Sequence, residues 1–275
     1  MKHEDYYYLK LKKHELSVPH SRHKRRIRVL LPKDYKEETA HYPVVYFHDG
    51  QNVFHSSESF SGHSWKTIPM IKRNPGLPKV ILVGIDNAGS ERINEYTPWP
   101  ITDSPLPPDI NLGGHGSDYA AFVMEVVKPF VDSHYRTKPE KKYTAMIGSS
   151  LGGNITAFMG LRYQDQIGGL GVFSLANWIT QRPFDEYMDQ IDLNPDQKVY
   201  IQVGTQEGDD TDRQLMYGNM KQAYIDTTLS YAKRLVQRGL PIENIELNIF
   251  ADEYHTEEAW ARHLIKCFRF LSQDW

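Results

Sequence analysis

The sequence holds a single cysteine, Cys267, among its 275 residues. No internal disulfide is available, which excludes a scaffold stapled by disulfides. No stretch approaches the ~20 consecutive apolar residues that a membrane-spanning helix needs. The opening Met1-Lys2-His3-Glu4-Asp5 has no apolar stretch of the signal-peptide kind, so a cytoplasmic setting without a membrane partner is the default expectation. Neither sign of charge is in excess. There are 32 Lys+Arg against 35 Asp+Glu, for a net charge of −3 and a pI near 6.5, so no nucleic-acid or other polyanion partner is implied. One basic run, His20 to Arg28, leads into the strand-like Ile27–Leu31 and reads as a solvated strand edge or loop.

What is present is a globular composition: 40% hydrophobic, 24% charged and 12% aromatic. The length suits one α/β domain over residues 1–275. There are no repeats and no low-complexity linkers. Tyr6–Lys12 and Arg25–Leu31 read as two opening strands, an antiparallel hairpin at a sheet edge. Val44–His48 and Val80–Ile85 are short apolar runs of buried-strand type. Asn87–Leu112, rich in Pro, Asp and Asn, shows no periodicity and reads as a long loop. Ser117–Tyr135 has helical spacing with Ser117 as N-cap. Strands at Tyr143–Ile147, Leu170–Leu175, Val199–Val203 and Ile245–Phe250 then alternate with helices at Leu151–Tyr163, Asn219–Arg238 and Glu257–Leu271. This alternation predicts an α/β fold, a mostly parallel central sheet with helices on both faces. In such sheets ligands bind outside the carboxyl ends of the strands, so reacting groups should follow strands directly.

Gly148-Ser149-Ser150-Leu151-Gly152 has the form G-x-S-x-G between a strand and a helix, the setting of a nucleophile elbow. The glycines clear the sharp turn, and the helix beginning at Leu151 turns its free N–H groups toward the reacting centre. Ser150 is the candidate nucleophile; Ser149 falls on a variable position. No Lys follows the glycines, so a phosphate loop is excluded. A serine hydroxyl needs a base to take its proton. Downstream lie His255, just beyond the strand Ile245–Phe250, and His263, two turns into the last helix, where a packed or surface role fits better. His255 is the candidate base. The acid should follow an intermediate strand, and Glu207 is the first acidic residue after Val199–Val203, with Asp210 next in preference. A metal loop built on Glu207, Asp209, Asp210 and Asp212 lacks the calcium-loop pattern, and no metal or cofactor is expected. The oxyanion donors expected are the backbone N–H groups of Leu151 and of Gln51, in the turn His48-Asp49-Gly50-Gln51-Asn52 after a buried strand.

Taken together, Tyr46–Asn52, Glu95-Tyr96-Thr97-Pro98, Gly148–Gly153, Gly204–Gly208 and His255 leading into Trp260 resemble the putative esterase (esterase D-like) family of α/β-hydrolases. The resemblance implies Ser150 as nucleophile, His255 as base and Glu207 at the acid position, where several relatives carry Asp. It implies a serine esterase that forms an acyl-enzyme on small-molecule esters, and aromatic walls around the pocket would suit small or aromatic acyl groups. Trp178 and Trp99 are the candidate substrate contacts. Two other uses of the same triad stay open, an acyltransferase and a thioesterase of the S-formylglutathione hydrolase kind; a non-catalytic binding module is the reading from another class. The sequence does not fix the oligomeric state, and a homo-oligomer is left open.

Overall fold

Eight strands form one sheet in the order β1-β2-β4-β3-β5-β6-β7-β8 in the computed structural model, which describes residues 11–102, 105, 107, 111–208, 212–215 and 218–275. The strands are β1 (Lys12–Ser17), β2 (Lys24–Leu30), β3 (Val44–Phe47), β4 (Ile81–Ile85), β5 (Thr144–Ser149), β6 (Gly169–Phe173), β7 (Lys198–Gln206) and β8 (Ile245–Tyr254). β1 pairs antiparallel with β2, and β2 antiparallel with β4; all remaining pairs are parallel. The expected mostly parallel sheet is the architecture found.

Successive strand residues point to opposite faces, and this alternation builds two cores. On one face Val44, Tyr46, Met146, Val172 and Ile201 pack with α3 (Gly116–Phe122), α5 (Leu151–Arg162) and α8 (Met220–Gln237). On the other, Val45, Phe47, Ala145, Ile147 and Tyr200 pack with α1 (Thr67–Arg73) and α9 (Glu257–Leu271). Helix α9 buries Trp260, Leu264, Cys267, Phe268 and Leu271, a stripe at helical spacing. Cys267 is a core residue, as the sequence suggests. The shorter helices are α2 (Arg92–Tyr96), α4 (Lys128–His134), α6 (Gln181–Met188) and α7 (Asp212–Leu215). Among the described residues, no helix is long and apolar enough to cross a membrane.

Four expectations change. The first described strand is Lys12–Ser17, later than Tyr6–Lys12, whose residues before Leu11 lie outside the described ones. Helix α3 starts at Gly116 with His115 at the cap position, so Ser117 lies inside the helix and is not its cap. The helical stretch then passes through a π-helical segment, Val123–Val127, into α4. Pro129 accounts for this, because its missing N–H breaks the regular hydrogen-bond ladder. The region Asn87–Leu112, read as a loop, contains α2.

The fourth change concerns the basic run. Arg25 and Arg28 are not solvated: they are only 4% and 3% exposed. Arg25 makes a two-bond fork onto Glu95 at 2.9 Å each, and His20 meets the same carboxylate at 3.1 Å. Arg28 grips Asp86 at 2.6 and 2.9 Å and also bonds Glu58. The sequence showed the cations; their carboxylates lie tens of residues away and become partners only in the fold. Breaking a buried pair strands its remaining charge, which costs roughly 3–5 kcal/mol. Arg25→Met should therefore lower stability by several kcal/mol, read as a drop in the urea midpoint at unchanged slope.

Candidate active site

Each candidate group follows a strand at its carboxyl end. Ser150 follows β5, Glu207 follows β7, His255 follows β8, and the turn at Asp49 to Asn52 follows β3. Ser149 is the last residue of β5 and is buried, whereas Ser150 is half-buried at the turn. Ser150 adopts φ 58° and ψ −127°, a left-side conformation that a non-glycine residue holds only when its surroundings force it. Its N–H donates to the Phe173 carbonyl at 2.9 Å, and its own carbonyl accepts from Asn154 at 3.0 Å. A side chain at Gly148 would collide with the Gly152 carbonyl, which is why the elbow needs glycine there. Leu151 opens α5, so its N–H has no acceptor within the helix.

His255 and Glu207 are joined directly: His255 Nδ1 lies 2.6 Å from Glu207 Oε2. A carboxylate only accepts, so the Nδ1 proton belongs to the ring and Nε2 is left as the basic nitrogen. The other oxygen, Oε1, accepts from the Gly204 N–H at 2.7 Å and from the Ser174 hydroxyl at 2.6 Å. Ser174 in turn accepts from the Trp260 indole N–H at 2.8 Å. The imidazole lies between the rings of Tyr224, at 4.9 Å, and Trp260, at 5.1 Å and nearly perpendicular. Ser174 and Tyr224 were not found by reading the sequence. Only their position at the sheet edge and beside the imidazole reveals them. Asp210, the second choice for the acid, and Asp209 lie outside the described residues. His263 has a separate role: it bonds Glu253 at 3.0 Å and stacks on Phe250 at 3.5 Å.

The turn after β3 is built from polar contacts. Asp49 has left-handed backbone angles, φ 53° and ψ 49°, and a short 3-10 turn, Gly50–Asn52, follows. A side chain on Gly50 would stand 2.5 Å from the backbone of Gly84 and 2.7 Å from that of Ile85, so only glycine lets this turn lie against β4. The Gln51 side chain accepts from the Asn87 N–H at 3.1 Å. The Asp49 carboxylate receives Arg92 Nε at 2.7 Å, Arg92 Nη2 at 2.8 Å and Asn87 Nδ2 at 2.6 Å. Burial pushes this carboxyl up, yet the Arg92 charge and these hydrogen bonds outweigh it and hold it below the usual range. Neither Arg92 nor this pairing was singled out in the sequence.

Trp178 and Trp99 both line a cleft of about 700 Å³ whose other walls include Arg182, Asp185, Glu186 and Arg234, and none of Ser150, Glu207 and His255 lines it. Trp178 packs on Tyr224 at 5.7 Å, one ring removed from His255. Trp99 is held among Phe158, Phe184 and Tyr187 at 5.5–5.9 Å, which gives it a packing role as well as a wall position.

His48, just before Asp49, is 3% exposed, and Nδ1 meets the Tyr119 hydroxyl at 2.8 Å. Burial pushes its pKa down to about 4. The unfolded chain binds this proton near the ordinary value of about 6.5, so the stability it contributes is complete above that pH and is lost as pH falls toward 4. The stability advantage of the wild type over His48→Gln should shrink by about 2 kcal/mol between pH 7 and pH 5, measured by urea titration at each pH.

Known proteins match this chain along most of its length. Residues 20–271 match the family described as "Putative esterase". The chain is 25% identical over 253 residues to the uncharacterized protein YbbA of Bacillus subtilis (strain 168), covering 92% of this chain and 94% of YbbA. Among solved structures, an IroE-like serine hydrolase from Shewanella oneidensis superposes with a TM-score of 0.77 at 20% identity, covering 96% of this chain and 81% of the other. The CE1 ferulic acid esterase AmCE1/Fae1A from Anaeromyces mucronatus superposes with a TM-score of 0.67 at 20% identity, covering 100% and 95%. With the α/β-hydrolase fold, an elbow serine and a family match over nearly its whole length, the chain belongs to the "Putative esterase" family and is an ester hydrolase.

Proposed function

We propose that the protein is a serine carboxylic-ester hydrolase working through an acyl-enzyme, with Ser150 as nucleophile, His255 as general base and Glu207 as the acid that orients the imidazole. The observation that carries this reading is the 2.6 Å bond from His255 Nδ1 to a Glu207 carboxylate whose other oxygen is already held by two donors. A carboxylate fixed in this way aims the ring and stabilises imidazolium without taking its proton.

The Ser150 hydroxyl attacks the ester carbonyl carbon as His255 Nε2 takes its proton. A tetrahedral oxyanion forms, and the backbone N–H groups of Leu151 and Gln51 stabilise it. The C–O bond to the alcohol then breaks, and protonated His255 gives its proton to the departing oxygen. Water attacks the acyl-enzyme with its proton going to Nε2; the C–O bond to Ser150 then breaks, Nε2 returns the proton to the Ser150 oxygen, and the carboxylic acid leaves. These steps use side chains and backbone N–H groups alone. The similarity to a ferulic acid esterase supports small or aromatic acyl groups as substrates, with Trp178, one ring removed from His255 through Tyr224, the nearer of the two candidate tryptophans to the imidazole.

Ser150→Ala should abolish both p-nitrophenyl acetate turnover and labelling by a fluorophosphonate; retained labelling would overturn the assignment. Glu207→Gln should lower kcat by up to about 10⁴, the scale of losing the orienting acid in a serine protease, while Asp210→Asn stays near wild type. The reverse order would move the acid to Asp210. In a panel of nitrophenyl esters and methyl ferulate, turnover confined to charged or peptide substrates would refute the acyl preference.

A further inference from the structure

A carboxylate beside a developing oxyanion raises the barrier to acyl transfer, because both are anions in a site of low polarity. Asp49 is such a carboxylate. It directly precedes Gly50 and Gln51 and is only 5% exposed. A Cβ on Gly152 would stand 3.1 Å from its Oδ2, so the charge faces the first turn of α5, where Leu151 offers its N–H. It takes no part in holding His255, whose Nδ1 partner is Glu207.

The residue is nevertheless built into the turn. Its left-handed backbone is one that Asp tolerates better than most residues. Its backbone N–H donates to the Tyr96 hydroxyl at 3.1 Å. Three side-chain donors converge on its two oxygens, more than the single oxygen of an asparagine would serve as well. The turn that would present the Gln51 donor is therefore held through a group whose charge opposes the oxyanion. Arg92 alone among these donors carries a compensating charge, and its guanidinium lies 5.0 Å over the Tyr96 ring.

We propose that Arg92 is a positioning residue for catalysis: its fork on Asp49 neutralises that carboxylate, so the turn can be anchored by it without repelling the oxyanion held between Gln51 and Leu151. This rests on the reading of Ser150 as nucleophile.

The test is kcat and KM for p-nitrophenyl acetate from pH 5 to 9 in the wild type, Arg92→Met, Asp49→Asn and the double variant. Arg92→Met should lose kcat on the order of 10²-fold, the scale of one lost oxyanion donor, with KM little changed. The loss should deepen as pH rises, because without Arg92 the burial of Asp49 pushes its carboxyl upward and its charge grows with pH. The other titratable groups facing Asp49 are Tyr96 from α2, His48 from its own turn and Tyr119 from α3. In the wild type burial holds His48 near 4 and pushes both tyrosines up; because Arg92 also lowers His48, the double variant, which lacks Arg92 and the Asp49 charge alike, separates any His48 contribution from that of Asp49.

The double variant should regain most of the lost kcat and shed the added pH dependence. Wild-type kcat in Arg92→Met, or a double variant as slow as Arg92→Met, would overturn the proposal. Should Arg92→Met fail to fold, the double variant against Asp49→Asn decides. Equal kcat supports charge neutralisation, and a further loss on removing Arg92 from a neutral partner refutes it. A failure of the Ser150 reading shows separately, as labelling retained in Ser150→Ala.

Discussion

The Glu207 carboxylate ties together the carboxyl ends of three neighbouring strands. One oxygen takes the N–H of Gly204 in β7 and the hydroxyl of Ser174 just past β6; the other takes His255 just past β8. Ser174 is one residue beyond Phe173, whose carbonyl receives the Ser150 N–H. The anchors of Ser150, Glu207 and His255, the proposed nucleophile, acid and base, thus lie within one short stretch of the sheet edge. Trp260 completes the arrangement from the first turn of α9, donating to Ser174 while its ring lies against His255. Packing and hydrogen bonding fix the imidazole from several sides, which supports precise orientation in a site of this kind.

Helix α2 does comparable work on the other side of the nucleophile. Glu95 pairs with Arg25 of β2, and Arg92 pairs with Asp49 after β3. Tyr96 accepts from the Asp49 N–H through its hydroxyl and from the Asn154 side chain of α5 through its carbonyl. Five residues therefore join the antiparallel edge, the turn that holds Gln51 and helix α5 behind Ser150. Both ion pairs are forks, the Arg25 pair buried and the Arg92 pair partly so, the geometry in which a guanidinium matches a carboxylate best. Such pairs are costly to break, because removing one partner strands the other's charge.

The sheet, both layers of helices and the strand-end positions of Ser150, Glu207 and His255 were legible in the sequence. Apolar runs such as Val44–Phe47 and the stripe Trp260, Leu264, Cys267, Phe268 carry their periodicity locally. Helix α2 was not legible, because five residues are too few to show a helical period and its partners are polar. The buried state of Arg25 and Arg28 was hidden for a related reason: a charge run looks solvated until its distant carboxylates are in place.

The sequence by itself determined the buried strands, the longer helices, their alternation, and the elbow at Ser150, since the glycines and hydrophobic spacing that specify them lie within a few residues of one another. Only the tertiary structure decided which groups meet: Glu207 with His255, Ser174 with Glu207, and Arg92 with Asp49. Those contacts join segments 33 to 48 residues apart. They depend on strand order and on desolvation of the paired charges, and no local pattern records either.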